Sequence, residues 1–398
     1  MQKQLLRTLF RRMKGEPFAV TYWDGKTEVY GENGAQEPQI RLIINEKLNL
    51  KEMLCDPELK FGEAYMDKVI DFEGDLKAVF RLLIQNQDLF DGNKNMEGFI
   101  QKFLKSQQET TCDQQAEKVQ YHYDLGNDFY KLWLDETMSY SCAYFKSPAD
   151  PLEKAQLQKI DHVLRKLQLK KGEKLLDIGS GWGWLIIKAA REYGVEALGI
   201  TLSKEQEEES RRRIDKEGLS GKVEVQMADY RDLAAENHTF DKIVSVGMFE
   251  HVGKEYIPEY FSCLNKILKP GGLSVLHSIT RPDERPPNEW LEKYIFPWGY
   301  IPSLREIVWE LPEHSFHLVD VESLRLHYAM TTARWADRFE KVVDRVEEKY
   351  GERFVRMWRL FLVGSSSSFR HSELDIHQLL FSKGLNNELP LTRDYLYQ

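Results

Sequence analysis

The stretch Leu175 to Trp184, LLDIGSGWGW, sets an acid at the end of an apolar run and glycines at alternate positions 179, 181 and 183. Glycines so placed let the backbone turn sharply and lie against a ligand where a Cβ would collide, and the helix that follows offers unpaired N–H groups to a carboxylate or phosphate. The chemistry this suits is nucleoside binding. A nicotinamide dinucleotide asks for G-x-G-x-x-G and an acid at the end of the next strand. Here Trp184 takes the third glycine's place, and the next apolar run, VEALGITL at Val195 to Leu202, closes on Thr201 and Ser203. No Gly-Lys-Ser/Thr follows, which excludes a Walker loop. Asp177 costs too much to bury without a partner, which favours a ligand over a bare turn. Two further apolar runs carry titratable groups: GMFEHVG puts Glu250 and His251 at a strand mouth, and LSVLHSIT puts His277 inside a strand. A lone strand histidine is more often a satisfied core residue than a catalytic one. Two strand ends converging on titratable groups shift that balance toward function.

These residues need a sheet to hold them. Helical and strand patterns alternate beyond residue 120, which predicts an α/β domain with a mostly parallel sheet and crossover helices, and in such sheets ligands sit at the carboxyl ends of strands. Seven strands are expected: Lys174 to Ile178, Val195 to Leu202, Val223 to Met227, Lys242 to Val246, Leu273 to Ile279, Val319 to Leu326 and Leu379 to Lys383. Before them, Phe18 to Leu50 reads as short strands between turns, and Cys55 to Leu76 as mixed structure leading into a helix. The polar stretch KSQQETTCDQQAEKV, Lys105 to Val119, reads as a linker. The expected organisation is a smaller N-terminal α/β domain over 1–104, a linker over 105–119 and a larger domain over 120–398 with an aromatic-rich insert at 281–316. A chain of 398 residues accommodates this.

Composition narrows the partners. A net charge of -9 argues against a general nucleic-acid binder. Cys55, Cys112, Cys142 and Cys263 lack C-x-x-C spacing, so neither a metal site nor a disulfide framework is indicated, and a reducing cytosol fits. No apolar run is long enough to span a bilayer. At the N-terminus, Leu5, Leu6, Leu9, Phe10 and Met13 share one helical face and Lys3, Arg7, Arg11 and Lys14 lie elsewhere. Such a helix either rests on an anionic membrane surface or packs its apolar stripe on its own domain.

The pattern D-x-G-x-G-x-G at Asp177 to Gly183 resembles that of S-adenosylmethionine-dependent methyltransferases. The segment YHYDLGNDFYKLWLDETMSYSCAYF (Tyr121 to Phe145) strongly resembles the entry segment of cyclopropane fatty acid synthases. GSGWGW, GITLSKEQ, VGMFEHVG, LHSI and HYAMTTARW follow in that family's order, and DPELKFGEAYMD resembles the extra domain of its bacterial phospholipid-acting members. The resemblance covers nearly the whole chain. It implies a Rossmann-like class I methyltransferase domain with a mostly parallel seven-stranded sheet. It further implies methyl transfer from S-adenosylmethionine to a cis double bond in an unsaturated phospholipid acyl chain, then proton loss and closure of a cyclopropane ring.

An isolated alkene is a very weak nucleophile, and its attack on the sulfonium methyl leaves a carbocation. The site must therefore be dry, stabilise a cation without capturing it, and hold a base near the new methyl. Aromatic faces stabilise cations without bonding to them; Trp290, Tyr294, Phe296, Trp298, Tyr300 and Trp309 of the insert are expected to form such a gallery, or simply to pack as a cap. The resemblance implies bound bicarbonate as the base, at positions matching Cys142, Glu250, His277, Ile279 and Tyr328. His277 and Tyr328 would donate side-chain hydrogen bonds, and the backbone at Cys142 and Ile279 would add more. Glu250 would accept the bicarbonate O–H or relay its proton. Cys142 is read as a wall residue, since a thiol nucleophile would compete for the methyl. For the donor, the resemblance assigns Asp177, Gly179 and Gly181 to the methionine portion and ribose, Thr201 and Gln206 to the ribose side, Tyr140 and Ser141 to the carboxylate, and Asp229 to the adenine amino group. For Asp229 the competing role is a helix N-cap. The expected setting is cytoplasmic, at the inner face of the cell membrane, with the first domain docking lipid or building a homodimer. An amine N-methyltransferase and a non-catalytic S-adenosylmethionine sensor are the rivals.

Overall fold

The computed structural model describes residues 2–31, 38–49, 52–53, 56–89 and 125–397. The expected linker at 105–119, the boundary at 104, Cys55, Cys112 and the first residues of the Tyr121 motif lie outside them. Two compact units are present: one takes Met1–Thr111, Asn288–Ile295 and Phe339–Ser372, the other Cys112–Pro287, Phe296–Arg338 and Glu373–Gln398. A single cut near residue 104 does not describe this division, because two later segments join the first unit.

In the first unit β1 (Phe18–Thr21), β2 (Thr27–Tyr30), β3 (Ile40–Ile44) and β4 (Ile70–Gly74) form a sheet in the order β2-β1-β3-β4. The helix Gln2–Phe10 buries Leu6 and Phe10, and the Phe10 ring lies 5.6 Å from that of Tyr30. Its charges face the same unit: Lys3 pairs with Asp24 and Arg7 with Glu28. Of the two expected readings, the helix packs on its own domain. The helix Glu352–His371 belongs here too, where Arg356 Nε donates to the Tyr65 carbonyl at 2.6 Å and Nη2 to Asp71 at 3.0 Å.

The second unit is built on β5 (Lys174–Ile178), β6 (Glu196–Thr201), β7 (Val223–Met227), β8 (Phe240–Val246), β9 (Leu268–Thr280), β10 (Phe316–Ser323) and β11 (Asp375–Lys383), in the order β10-β11-β9-β8-β5-β6-β7. These are the seven expected strands. The pairs from β9 through β8, β5 and β6 to β7 are parallel, whereas β11 runs antiparallel to both β9 and β10. Strand side chains alternate between faces, and each face has its own core. Leu176, Leu276 and Leu379 pack with Phe261 and Phe381 on one side. Leu175, Val275 and Leu380 pack on the other with Ile160 and Val163 of the helix Leu152–Leu167. Because both faces are covered, the central strands β5, β8 and β9 are buried along nearly their whole length, while β7 and β10 at the edges alternate. Among the described residues no helix is long and apolar enough to cross a membrane, and no cluster could hold a metal ion.

Candidate active site

After β5 the chain turns through Gly179 and Gly183 into the helix Trp184–Tyr193. Gly179 has φ 78°, and a Cβ there would stand 2.7 Å from that of Met248, so only glycine fits. The turn is pinned by the N–H groups of Gly179 and Ser180, which both donate to the Ile200 carbonyl at 3.0 Å. Beside it a cavity of about 1160 Å³, counting its open mouth, is lined by Tyr140, Ser141, Asp177, Gly179, Gly181, Thr201, Gln206 and Asp229, all eight residues expected at the donor. Asp177 is 3% exposed, and its Oδ1 has no hydrogen-bond partner. Burial pushes its carboxyl up to about 7, against the opposing charge of Lys159. Among the described residues, the partner expected from the cost of burying Asp177 is thus no side chain hydrogen-bonded to Oδ1. The acid is held in a cavity wall.

Lys159 is the residue that the sequence reading passed over. It lies four residues after Ala155 and four before Val163, on the apolar stripe of the helix Leu152–Leu167, and a lysine on such a stripe was the available signal. Its Nζ donates to Ser141 Oγ at 3.0 Å, it lines the cavity, and burial lowers its pKa. Thr201 Oγ1 donates to Gln206 Oε1 at 2.7 Å, tying β6 to the next helix. Asp229 takes the competing role as N-cap of the helix Tyr230–Ala235, in a capping box with Asp232. Its carboxylate also accepts from Arg231 Nε and Nη2 at 2.8 Å, while still lining the cavity. Two oxygens with two lone pairs each leave room for a further donor.

The second set lies behind this wall. Glu250 falls between Met248 and His251, both cavity-lining, and His277 pairs with Val246, which lines it as well. Glu250 Oε1 accepts the Ile279 N–H at 2.6 Å, and Oε2 is buried with no hydrogen-bond partner among the described residues. Burial raises this carboxyl and lowers the His277 imidazole well below its usual range. His277 Nε2 is likewise buried and unpartnered. The N–H of Ile279, expected to contact an anion directly, is already committed to Glu250; it acts by holding the carboxylate instead. Cys142 is fully buried, its Sγ 3.3 Å from the Ala143 carbonyl and 3.9 Å from that of Leu324, and burial pushes its thiol up, keeping it protonated and unreactive. Tyr328 shares this neighbourhood, its N–H donating to the same Leu324 carbonyl at 3.0 Å. His251, at the mouth, is lowered to about 4 by burial and is neutral at pH 7.

Of the insert's six aromatics, Phe296 stands against the cavity-lining His251 with ring centroids 6.0 Å apart, and the Tyr300 N–H donates to the Glu250 carbonyl at 2.9 Å, while the other rings are placed differently. Trp290 and Tyr294 belong to the first unit, where Trp290 Nε1 donates to Met66 Sδ and Tyr294 Oη to Glu63. Trp309 is 70% exposed and Trp298 49%. The Tyr300 hydroxyl bonds Glu306, within a helix capping box. Aromatic faces instead surround Tyr140, whose ring lies 5.2 Å from Trp335, 5.4 Å from Tyr130 and 5.6 Å from Trp133; Tyr328 meets Trp335 at 6.0 Å. They come from the segments Tyr121 to Phe145 and HYAMTTARW, His327 to Trp335.

The family described as mycolic acid cyclopropane synthetase matches residues 110–379, and a domain of unknown function matches residues 5–95. The chain is 37% identical over 393 residues to a "Probable fatty acid methyltransferase" of Pseudomonas putida, covering 96% of each. It is 41% identical over 273 residues to the cyclopropane-fatty-acyl-phospholipid synthase of Escherichia coli K12, covering 68% of this chain and 69% of that one. The structure of mycolic acid cyclopropane synthase CmaA1 complexed with SAH and CTAB superposes with a TM-score of 0.64 at 32% identity, covering 67% of this chain and 98% of that one. With its glycine turn, its parallel sheet and these relatives, the chain belongs to the cyclopropane synthase family and is an S-adenosylmethionine-dependent methyltransferase.

Proposed function

We propose that this enzyme methylates the cis double bond of an unsaturated phospholipid acyl chain and closes a cyclopropane ring, with bicarbonate as the base. The observation that carries the reading is the pair of buried, unpartnered polar atoms, Glu250 Oε2 and His277 Nε2, behind the wall of the donor cavity. Buried polar atoms are nearly always satisfied, so two such atoms on adjoining segments point to an absent ligand. An anion suits them. Glu250, raised by burial, can carry a proton and donate, and a neutral His277 can donate from one ring nitrogen. Bound there among Glu250, His277, Tyr328 and Cys142, bicarbonate would supply a base for the proton lost from the transferred methyl.

The chain's own residues do the rest. Asp177 faces the cationic donor, and ionises fully when that charge arrives. Trp335, Tyr140 and Tyr328 offer ring faces to the developing carbocation, which they attract without bonding. The protonated Cys142 presents no thiolate to intercept the methyl.

Incubation with S-adenosylmethionine, bicarbonate and vesicles of mono-unsaturated phospholipid tests the reading. Proton NMR of the released fatty acids is expected to show the upfield cyclopropane methylene. A methyl-branched or methylene product would retain methyl transfer and refute ring closure. Methylation of amines alone would refute the lipid substrate, and donor binding without any transfer would leave the sensor.

A further inference from the structure

His277 stands in a row of polar side chains that strand register builds across the antiparallel half of the sheet. Glu322 of β10 lies opposite Gln378 of β11, and Gln378 lies opposite His277 of β9. Residues directly opposite one another project to the same face. The helix Leu152–Leu167 covers that face, where Lys166 Nζ donates to Glu322 Oε2 at 2.6 Å and His162 Nε2 stands 2.6 Å from the same oxygen. Gln378 and His277 are both completely buried, with Gln378 Nε2 3.3 Å from His277 Nδ1.

An amide nitrogen only donates, so this contact requires a lone pair on Nδ1. Burial, reinforced by the charges of Lys159 and Lys166, keeps the ring neutral. A neutral imidazole with its lone pair on Nδ1 carries its single proton on Nε2. Nε2 is the ring atom left without a partner among the described residues.

We propose that Gln378 is a positioning residue that fixes His277 in the Nε2–H tautomer, so that the ring offers a hydrogen-bond donor to an anion held beside Glu250. In the other tautomer a lone pair would face that anion and repel it. Gln378 touches no reacting atom; it acts through the histidine, as the orienting group of a catalytic triad does.

The inference rests on the proposed base site, but its test needs no substrate. In full-length protein labelled with 15N-histidine, two-bond proton–nitrogen correlation at neutral pH, assigned through His277→Gln, is expected to show Nδ1 bare and Nε2 protonated. Gln378→Glu puts a carboxylate acceptor against Nδ1 and is expected to move the proton there, with kcat falling about 10²-fold and the donor KM unchanged. Gln378→Met, of similar size, is expected to leave both tautomers populated with a smaller fall. An Nδ1–H tautomer in the unaltered protein overturns the proposal, as does a tautomer that neither variant shifts. If the variants shift the tautomer while turnover proves indifferent to bicarbonate, the role of Gln378 stands and the base-site reading falls.

Discussion

The parallel and antiparallel halves of the seven-stranded sheet do different work. On the parallel side, donor-cavity residues follow the strands: Gly179 and Gly181 after β5, Gln206 after β6 and Asp229 after β7. They sit in turns and helix starts, open to the cavity, and several bond one another. On the antiparallel side the functional groups lie within strands. His277 and Gln378 are inside β9 and β11, sealed and placed by register. Loops at strand ends shape an open cavity wall, whereas strand interiors hold their polar groups buried and fixed by register, the setting that the proposed role of His277 requires.

This division is best broken by His277→Gln. Turnover is expected to fall by about 10²- to 10⁴-fold, the usual worth of positioned acid–base groups, while calorimetric affinity for the donor stays the same. Equal collapse of donor binding would show that the two halves form one site. Next comes Asp177→Asn, on the parallel side. Removing a charged contact to a cationic ligand is expected to weaken donor binding by about 10- to 100-fold, with kcat at saturation little changed; the reverse pattern would refute the assignment.

The same carboxyl gives a pH signature. If Asp177 holds the donor as proposed, only its ionised form attracts it, and with burial pushing this carboxyl up to about 7, affinity is expected to drop about tenfold per pH unit below that value. The sign for stability is opposite. A carboxyl raised by folding binds more protons folded than unfolded, so the free protein loses stability as pH rises toward 7, and the donor restores it. Thermal shifts with S-adenosylmethionine should therefore grow from pH 6 to pH 8, and flatten in Asp177→Asn. The smallest effect is expected from Trp309→Ala. At 70% exposed, its loss should change stability by no more than about 0.5 kcal/mol and leave turnover on short-chain substrate intact. A large loss of activity would return the insert to the acyl-chain wall.

Much of the scaffold was legible because buried strands announce themselves: LLDI and LSVLHSIT are buried on both faces and bounded by turns, and VEVQM at the sheet edge alternates buried Val with exposed Glu and Gln. Residues whose meaning depends on register were not. Nothing in DIHQLLF marks Gln378 as the neighbour of His277, since that pairing arises from strands about a hundred positions apart. Lys159 broke an apolar stripe and could have been noticed. Trp290 and Tyr294 misled because aromatic composition reads the same whether a ring lines a site or packs in another unit. Ile279 shows the finest limit, for no sequence pattern says that its N–H is already taken by Glu250.

The strand order carries a consequence for how the molecule is made. β11 is synthesised after β9 and β10, yet lies between them. Until residues 375–383 leave the ribosome, β9 has an open edge beside the apolar run that contains His277, and open apolar edges recruit other strands. The proposed contact between His277 and Gln378 therefore forms only when that strand closes the sheet, after every segment that lines the cavity has been synthesised.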